Sequence, residues 1–396
     1  MELFTGKQYV KIALANAFGL DKELFQTRLD WVETKSMDEL HALVHDADEP
    51  AIYLGALLAL EDAEAGRPSG FMVGLDACSS GVQIMGAMMN CEVTCKSTGL
   101  IDTGRRADIY SDVTNVMNQS PNISVNIPRK EVKPALMTHF YGSTEQPKII
   151  FGEDTPELEA FYASLNSVAH GATIAMEHLL GAWQPYADEH RWSLPDGFVA
   201  VCPVTEKVDK RIEVDELDHS TFTHRFEIVN GQEKGLSIAA NVVHSIDGML
   251  VREMNRRCNY DPNMLKATKY DIENYWAKNG KHPKPSNEFV SLRLAEKFMF
   301  MELLMSDFEE ELEELHRLIV QSLAHKSFPV KCVHDEFKCH PNNMNHLRKH
   351  YVEMFQQLAK SDLLSDILTE IHGSPYSIAK VGNVVNDIGN ANYALS

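Results

Sequence analysis

The sequence predicts an α+β fold, in which a small β-sheet is set among many helices. Most of the 396 residues carry the apolar periodicity of helices. Residues 71–75 form instead a short apolar run that ends at Asp76, as expected for a buried strand. Apolar and polar residues alternate over 330–339, which predicts a half-buried pair of strands.

Helices are predicted both before and after the first strand in the sequence. Residues 22–62 predict two helices that are divided near Ala47 to Pro50. Residues 189–233 predict strands and loops, and the polar stretch 259–288 predicts an inserted surface segment. The remaining helical patterns extend over 81–90, Arg105 to Met117, 129–142 (opened by Pro128 and closed by Gly142), Glu157 to Leu180, Phe308 to Lys326, and from the second strand pair to about His372.

Composition restricts the class of protein. Apolar residues make up 44% of the chain and charged residues 24%, which is ordinary for a soluble globular protein. No apolar run reaches the roughly 20 residues that a membrane helix requires, and the first residues lack a signal-peptide pattern. The seven cysteines show no zinc or disulfide spacing, so we expect reduced thiols and a cytoplasmic protein without a membrane partner. The net charge of −20, taken alone, argues against nucleic acid as a partner.

Two aspartates far apart in the sequence occupy strand ends. Asp76 ends the first strand, and Asp335 lies in the charged triplet 334–336 at the bend of the second strand pair. The two carboxylates could lie side by side on one sheet, where a pair of Mg²⁺ ions would offset their repulsion and support phosphoryl transfer. The alternative is that both are ordinary turn or cap residues.

A helical face offers a second set of candidate groups. Arg129, Lys133, Met137 and Tyr141 recur every four residues and therefore share one side of a helix. Two cations at this spacing can hold a triphosphate, and the aromatic ring can stack on a base or sugar. The alternative is a solvated basic edge beside a core aromatic residue.

Three segments together resemble motifs A, B and C of the single-subunit nucleic acid polymerases, in the same order. They are DACSSGVQ from Asp76, RKEVKPALMTHFYG from Arg129 and HDEF from His334. The resemblance implies a right-hand polymerase fold with palm and fingers and an antiparallel palm sheet. It also implies template-directed nucleotidyl transfer with two Mg²⁺ ions.

The resemblance assigns a role to each candidate residue. Asp76 and Asp335 would hold the two metal ions, helped by the main-chain carbonyl of Ala77. Lys133 and Tyr141 would act at the reacting nucleotide, where Tyr141 guards the identity of the sugar. The nucleotide-binding set that it implies is Arg129, Lys133, Met137, Tyr141, Gly142, His244, Lys22 and Gly81.

Motif A separates RNA from DNA polymerases. Family-A DNA polymerases carry a Glu five residues after the metal-binding Asp, which closes the space for a 2′-hydroxyl, whereas this sequence has Gly81. DACSSGVQ is similar to the Asp-x-x-x-Ser-Gly-(Ile/Val)-Gln pattern of the phage and mitochondrial-type RNA polymerases. Further similar segments are KIALANAFGLDK, DIY, RWSLPDGF, NVVHSIDG and GNVVNDIGNANYALS, so the resemblance covers nearly the whole chain except 255–325.

Motif C departs from that family and keeps alternatives open. Glu336 replaces the usual Ser, as in DNA polymerases, and Lys338 stands where Gly is common. Pro134 occupies a position that is often basic. A family-A-like DNA polymerase therefore stays an alternative, as does a catalytically dead scaffold with the polymerase fold. We expect Glu336 to face the solvated side of the bend or to lie behind the metal ligands.

Only 75 residues precede Asp76, so the thumb, the promoter-reading N-terminal domain and the Asp-x-x-Gly-Arg motif are not found upstream. The segment Asp102 to Arg105 has the wrong spacing for that motif. The chain resembles the larger, catalytic subunit of a two-subunit phage middle-gene RNA polymerase. This resemblance implies that a smaller partner subunit supplies the missing parts and much of the basic channel for the DNA template and RNA product. It also implies NTP substrates, weak promoter discrimination and a single-stranded-DNA-binding helper.

The resemblance also implies a division of the chain. The expected parts are a palm-associated helical module (1–66), palm with motif A (67–104), fingers with motif B (105–244), a return to the palm (245–254), an inserted segment and helix (255–325), palm with motif C (326–360) and a C-terminal palm extension (361–396).

Overall fold

The computed structural model describes residues 1–229, 235, 237–281 and 286–396. The parts of the predicted loops at 230–233 and of the predicted insert at 282–285 lie outside the described residues. In chain order, the α-helices are α1 (Gly6–Ala15), α2 (Phe25–Glu33), α3 (Met37–Ala42), α4 (Pro50–Glu64), α5 (Ser80–Met88), α6 (Glu92–Ser97), α7 (Ile109–Asn118), α8 (Arg129–His139), α9 (Glu145–Phe151), α10 (Pro156–Val168), α11 (His170–Gly181), α12 (Ser237–Cys258), α13 (Pro262–Asn279), α14 (Arg293–Met299), α15 (Leu312–Leu323), α16 (Met344–Lys360), α17 (Leu363–His372) and α18 (Val385–Ile388). The strands are β1 (Val73–Asp76), β2 (Glu189–Ser193), β3 (Val199–Pro203), β4 (Thr205–Val214), β5 (Ser220–Val229), β6 (Lys331–Val333) and β7 (Glu336–Cys339).

The fold is α+β, and its sheets in the described residues are small and antiparallel. Strands β1, β7 and β6 form one three-stranded sheet in that order, while β2–β3 and β4–β5 form separate pairs. The sheet therefore joins segments of the chain that are more than 250 positions apart. None of the helices in the described residues combines the length and apolar character needed to cross a membrane.

The three-stranded sheet has one buried face and one open face. Val73, Leu75, Phe337 and Cys339 are buried in the main core, because side chains alternate along a strand and these positions share one side. Behind the sheet, α5 packs on α12 and α16. The fully buried Gln83 amide of α5 donates to two backbone carbonyls and accepts a 2.7 Å hydrogen bond from the hydroxyl of Tyr351 on α16. Helix α5, which follows β1 in the chain, is thus tied to α16.

Several predicted helices are shorter or broken in the structure. The predicted helix over 157–180 is two helices, α10 and α11, because the backbone at Ala169 leaves the helical region. The first of the two helices predicted over 22–62 is likewise divided, since Ser36 caps a new helix through the backbone N–H of Glu39. The helices predicted to start at Arg105 and Phe308 start at Ile109 and Leu312, respectively.

The polar segment 259–288 was expected to be a surface insertion, but it contains the long helix α13. Apolar residues of α13 pack with those of α14 and α15 in a second core that is separate from the main one. The sequence pattern missed this helix because its buried positions are few: Leu265, Thr268 and Ile272 lie on a stripe, and the rest of its surface is polar.

A buried ion pair ties the second core to the first. Glu253 and Arg257 of α12 have fully buried side chains, and the Arg257 Nε donates to Glu253 over 2.9 Å. Glu253 also accepts hydrogen bonds from the Ser291 hydroxyl and the Leu292 backbone N–H. Every bond to this carboxylate comes from α12 itself or from the segment that enters α14, so the network fixes that segment on α12.

Replacing Glu253 with alanine should lower the free energy of unfolding by about 3–5 kcal/mol, because the Arg257 charge would stay buried without its partner. Urea denaturation at pH 7, followed by circular dichroism, measures this change. Glu64→Ala is the matched control, since Glu64 pairs with Lys7 on the exposed surface, where such a pair contributes about 1 kcal/mol or less. Equal losses in the two variants would contradict the prediction.

Candidate active site

A cleft of about 750 Å³ lies over the open face of the three-stranded sheet. Its floor is the end of β1 and the turn between β6 and β7, and α8 forms its opposite wall. The predicted site residues that line it are Lys22, Asp76, Ala77, Gly81, Arg129, Lys133, Met137, Tyr141 and Asp335. Gly142 and His244 are not on its wall.

The register of the sheet places the acidic residues. Asp76 pairs with Glu336 across β1 and β7, so both side chains project from the same face. Asp335 and His334 form the two-residue turn between β6 and β7, and His334 adopts a left-handed backbone with φ of 55°. The backbone N–H of Ala77 donates to the Asp335 carbonyl over 3.2 Å. The structure thus brings Asp76 and Asp335 to one end of the sheet.

The electrostatics of this end favour a cation. Asp76 keeps more than a third of its surface exposed, yet burial in the cleft, followed by the charges of Glu336 and Asp335, raises its pKa to about 6. Burial also raises the pKa of Asp335. Carboxylate oxygens are the ligands that Mg²⁺ prefers, and a divalent ion would remove the repulsion between them. The donor set of Asp76 and Asp335 therefore fits Mg²⁺.

Glu336 lines the cleft beside Asp76, and its carboxylate forms a 2.8 Å ion pair with Lys338. It reaches the cleft because directly paired residues of antiparallel strands project from the same face, and the register Asp76 to Glu336 could not be known from the sequence. Its expected place on the solvated side of the bend or behind the metal ligands stays a prediction.

The α8 wall carries the predicted row of groups. Pro128 precedes the helix as its cap residue, and Arg129, Lys133 and Met137 reach the cleft from one face of α8. The helix predicted over 129–142 ends at His139, so Tyr141 reaches the cleft from the turn that follows it. Lys133 is exposed, with its ammonium 5.7 Å from the centre of the Tyr110 ring. Among the described residues, no carboxylate is recorded within ion-pair distance of Lys133. This lysine is therefore available to an anionic ligand.

Arg129 is already engaged by the protein. Its Nε and Nη2 donate to the two carboxylate oxygens of Asp108 over 2.8 and 3.0 Å. Burial would raise the pKa of Asp108, but hydrogen bonds from Arg129 and Ser111 outweigh it and hold that pKa below its usual range. Asp108 also caps α7. The pair positions the Arg129 guanidinium, whose centre lies 5.3 Å from the Tyr110 ring.

The sequence indicated the segment 108–110 but gave Asp108 and Tyr110 no part in the site. Both line the cleft, Asp108 as the partner of Arg129 and Tyr110 as the ring beneath Arg129 and Lys133. No local spacing could reveal this, because the contact joins the start of α7 to the start of α8 across 21 positions.

Gly81 and Tyr141 face each other across a narrow gap. A Cβ atom at position 81 would lie 3.2 Å from the Tyr141 hydroxyl and 3.2 Å from a methyl carbon of Val243. Burial raises the pKa of Tyr141 to about 12, so its hydroxyl keeps its proton at neutral pH and can donate a hydrogen bond. His244 contacts Tyr141 with ring centres 4.5 Å apart. His244 thus reaches the cleft only through Tyr141.

The remaining predicted residues have clear positions. Lys22 is exposed at the rim of the cleft and pairs with its neighbour Asp21. Gly142 follows the end of α8 with φ of 91°, a left-handed conformation that favours glycine. It acts on the site by directing the chain away after Tyr141.

Asp247 is a half-buried carboxylate near Asp335 that sequence patterns did not select. Burial, followed by the charge of Asp335, raises its pKa to about 6, while His334 opposes the shift. Because the pKa in the folded protein lies above the ordinary value, the stabilising contribution is complete at low pH and is lost as pH rises through about 6.

Replacing Asp247 with asparagine should therefore raise the free energy of unfolding of the metal-free protein by about 1–2 kcal/mol at pH 8, after allowance for solvent screening. At pH 3.5, where aspartate is mostly protonated in both states, most of the gain should be lost. Chemical denaturation with EDTA at both pH values measures it. A gain of equal size at pH 3.5 would show that the charge is not its cause.

The chain is similar to known polymerases over part of its length. Residues 4–148 match the family described as DNA-dependent RNA polymerase. The chain is 26% identical over 300 residues to the DNA-directed RNA polymerase of Pseudomonas phage phiKMV, covering 61% of this chain and 37% of the phage protein. It is 32% identical over 165 residues to a probable DNA-directed RNA polymerase of Neurospora crassa, covering 36% of this chain and 18% of the fungal protein.

Both relatives are polymerases, one of a phage and one of a fungus. Over the matched regions, the chain is similar to the single-subunit, phage-type RNA polymerase family. It spans little more than a third of the length of the phage relative and about a fifth of that of the fungal one. The matched region includes Asp76 and all of α8, but not the β6–β7 turn that carries Asp335.

Proposed function

We propose that this chain carries the catalytic centre of a DNA-directed RNA polymerase, which adds NTPs to an RNA 3′ end on a DNA template. The observation that carries the proposal is the cleft itself. It unites Asp76 and Asp335 from distant segments and faces them with the cationic and aromatic groups of α8. An acidic metal-binding edge opposite a basic helix is the arrangement that nucleotidyl transfer requires.

Asp76 and Asp335 would hold two Mg²⁺ ions in this proposal, with the Ala77 carbonyl as a further ligand. When bound, such ions lower the pKa of the attacking 3′-hydroxyl and neutralise charge on the triphosphate. The protein's part is to fix both carboxylates on a sheet whose other face is buried in the core. Their positions are therefore set before the substrate arrives.

The nucleotide would lie along α8. The Lys133 ammonium, which has no carboxylate partner among the described residues, would contact the triphosphate, with Lys22 at the rim of the cleft. Arg129 would contribute through the guanidinium edge that Asp108 leaves open. The Tyr141 hydroxyl, above the space left by Gly81, would donate to the ribose 2′-hydroxyl. Met137 supplies apolar contact, while His244 supports the ring of Tyr141.

We propose the same division into palm and fingers that the sequence suggested. The sheet β1–β7–β6 joins the segments 67–104 and 326–360, which supports a common palm. The segment 105–244 contributes α8 and the paired ribbons, which supports its assignment as fingers.

We also propose which partners the chain has. The chain would be the catalytic subunit of a two-subunit phage RNA polymerase that transcribes middle genes. A smaller subunit supplies the thumb, the N-terminal region and most of the basic channel, and a single-stranded-DNA-binding helper delivers template. The net charge of −20 supports a need for positive charge from elsewhere, since DNA binding depends on neutralised phosphates. DNA binding by this chain alone, as tight as by the pair at matched salt, would contradict it.

The deciding experiment is primer extension on a primed single-stranded DNA template, with rNTPs or dNTPs, with and without co-purified partner. RNA synthesis with rNTPs is the expected result. A strong preference for dNTPs would favour a DNA polymerase, as Glu336 suggested. Absence of any extension, together with stable partner binding, would identify a scaffold without catalytic activity.

A further inference from the structure

The open face of the sheet carries an ion pair that the proposed reaction does not use. Gly74 and Asp76 of β1 pair with Lys338 and Glu336 of β7, so all four positions share the face that lines the cleft. The Lys338 Nζ lies 2.8 Å from the Glu336 Oε1, and both side chains are largely covered, with 27% and 25% exposure. A partly covered pair of this kind holds a defined geometry better than a pair on the outer surface.

Gly74 provides the space in which this pair lies. A Cβ atom at position 74 would come within 2.0 Å of the Glu336 Oε1 and 3.2 Å of the Lys338 Cγ. The oxygen that accepts the lysine bond is therefore the same oxygen that rests against the bare backbone of Gly74. Any side chain at position 74 would displace the Glu336 carboxylate.

The Glu336 carboxylate therefore points toward Gly74 along the strand direction. Its backbone stands opposite Asp76, but its carboxylate bends back toward position 74, two residues along the strand, or roughly 6–7 Å away. Among the described residues, ligand atoms of Asp76, Asp335 and Glu336 do not all approach within 4.8 Å of one another; the triad that does is Glu213, Asp215 and His219 on the exposed β4–β5 ribbon. The three carboxylates therefore do not form one three-ligand cluster, and the Glu336 carboxylate is held against Gly74 and Lys338.

We propose that Lys338 and Gly74 withhold the Glu336 carboxylate from the divalent-cation site and thereby weaken the affinity of the substrate-free protein for metal. This inference rests on the proposed function, because it takes Asp76 and Asp335 to be the metal ligands. A third carboxylate at the site would bind the ion more tightly before substrate arrives. Glu336 and Lys338 act here as positioning residues, and Gly74 makes their arrangement possible.

The test is calorimetric titration of the full chain with Mn²⁺ in the absence of nucleotide. Gly74→Ala and Lys338→Met should each bind Mn²⁺ about five- to tenfold more tightly, because both release Glu336. Gly74→Ala alters no charge, so its effect separates the release of the carboxylate from the loss of a positive charge. Adding Glu336→Gln to Gly74→Ala should return the affinity to within about twofold of the wild type.

Lys11→Met is the matched control, since Lys11 forms a similar 2.7 Å ion pair with Glu33 away from the cleft and should leave the Mn²⁺ affinity unchanged. Unchanged affinity in both Gly74→Ala and Lys338→Met would overturn the inference, as would a gain that persists with Glu336→Gln. Asp76→Asn distinguishes a failure of the proposed metal site from a failure of the proposed role of Lys338 and Gly74. If it leaves Mn²⁺ binding intact, the proposed metal site fails; if it abolishes binding while Gly74→Ala has no effect, only this inference fails.

Discussion

Replacing Asp76 with asparagine should reduce RNA 3′-end extension by about a thousandfold or more. Loss of a carboxylate that holds the metal removes several kcal/mol of transition-state stabilisation, and about 1.4 kcal/mol corresponds to a factor of ten. The fold should survive, because Asp76 lies on the open face and its carboxylate makes no recorded bond that supports the core among the described residues. Single-turnover extension of a labelled primer with the partner present measures the loss.

Asp38→Asn is the control for this variant, since Asp38 is exposed on α3 and does not line the cleft. The circular dichroism spectrum and partner co-purification should match the wild type in both variants. Asp76→Asn should also unfold at a higher temperature at pH 8 without metal, because a carboxylate with a raised pKa is destabilising when ionised. Extension within tenfold of the wild type would remove Asp76 from the proposed metal site.

Gly81→Glu should reverse the choice of sugar and lower the rNTP to dNTP preference by about a hundredfold or more. The new side chain must pass a Tyr141 hydroxyl that already lies 3.2 Å from the first added carbon, so it would fill the space proposed for the 2′-hydroxyl. Two effects, the lost hydrogen bond to the 2′-hydroxyl and the steric clash with it, account in sum for about 3 kcal/mol of discrimination against rNTPs. Competition between rNTPs and dNTPs in primer extension measures the ratio.

Gly81→Ala provides the control, because one carbon at 3.2 Å requires its neighbours to move by only a few tenths of an ångström. We expect this variant to keep most of its preference for rNTPs. If Gly81→Glu lowers the use of rNTPs and dNTPs equally, the substitution acts by distorting the cleft, and the proposed place of the 2′-hydroxyl is wrong.

The sequence predicted which residues meet in the cleft better than it predicted the lengths of helices. Spacing along one helix placed Arg129, Lys133 and Met137 on one face, because periodicity within a helix is a local property, whereas Tyr141 lies beyond the end of that helix. The break at Ala169 was missed, because helix patterns continue on both sides of it and only the local backbone departs. Helix α13 was missed for a related reason, since its contacts to α14 and α15 bury only a narrow stripe.

The sequence by itself determined the chemical groups of this protein: two aspartates at strand ends, a basic helix face followed by a tyrosine, and a glycine five residues after the first aspartate. Tertiary structure alone decided how those groups are used. The register of β1 on β7 turned Glu336 into the cleft and gave it Lys338 and Gly74 as neighbours. The packing of α7 on α8 gave Arg129 its partner Asp108. The physical reason is that a one-residue shift between distant strands reverses which side chains face the cleft, and no local pattern fixes that shift.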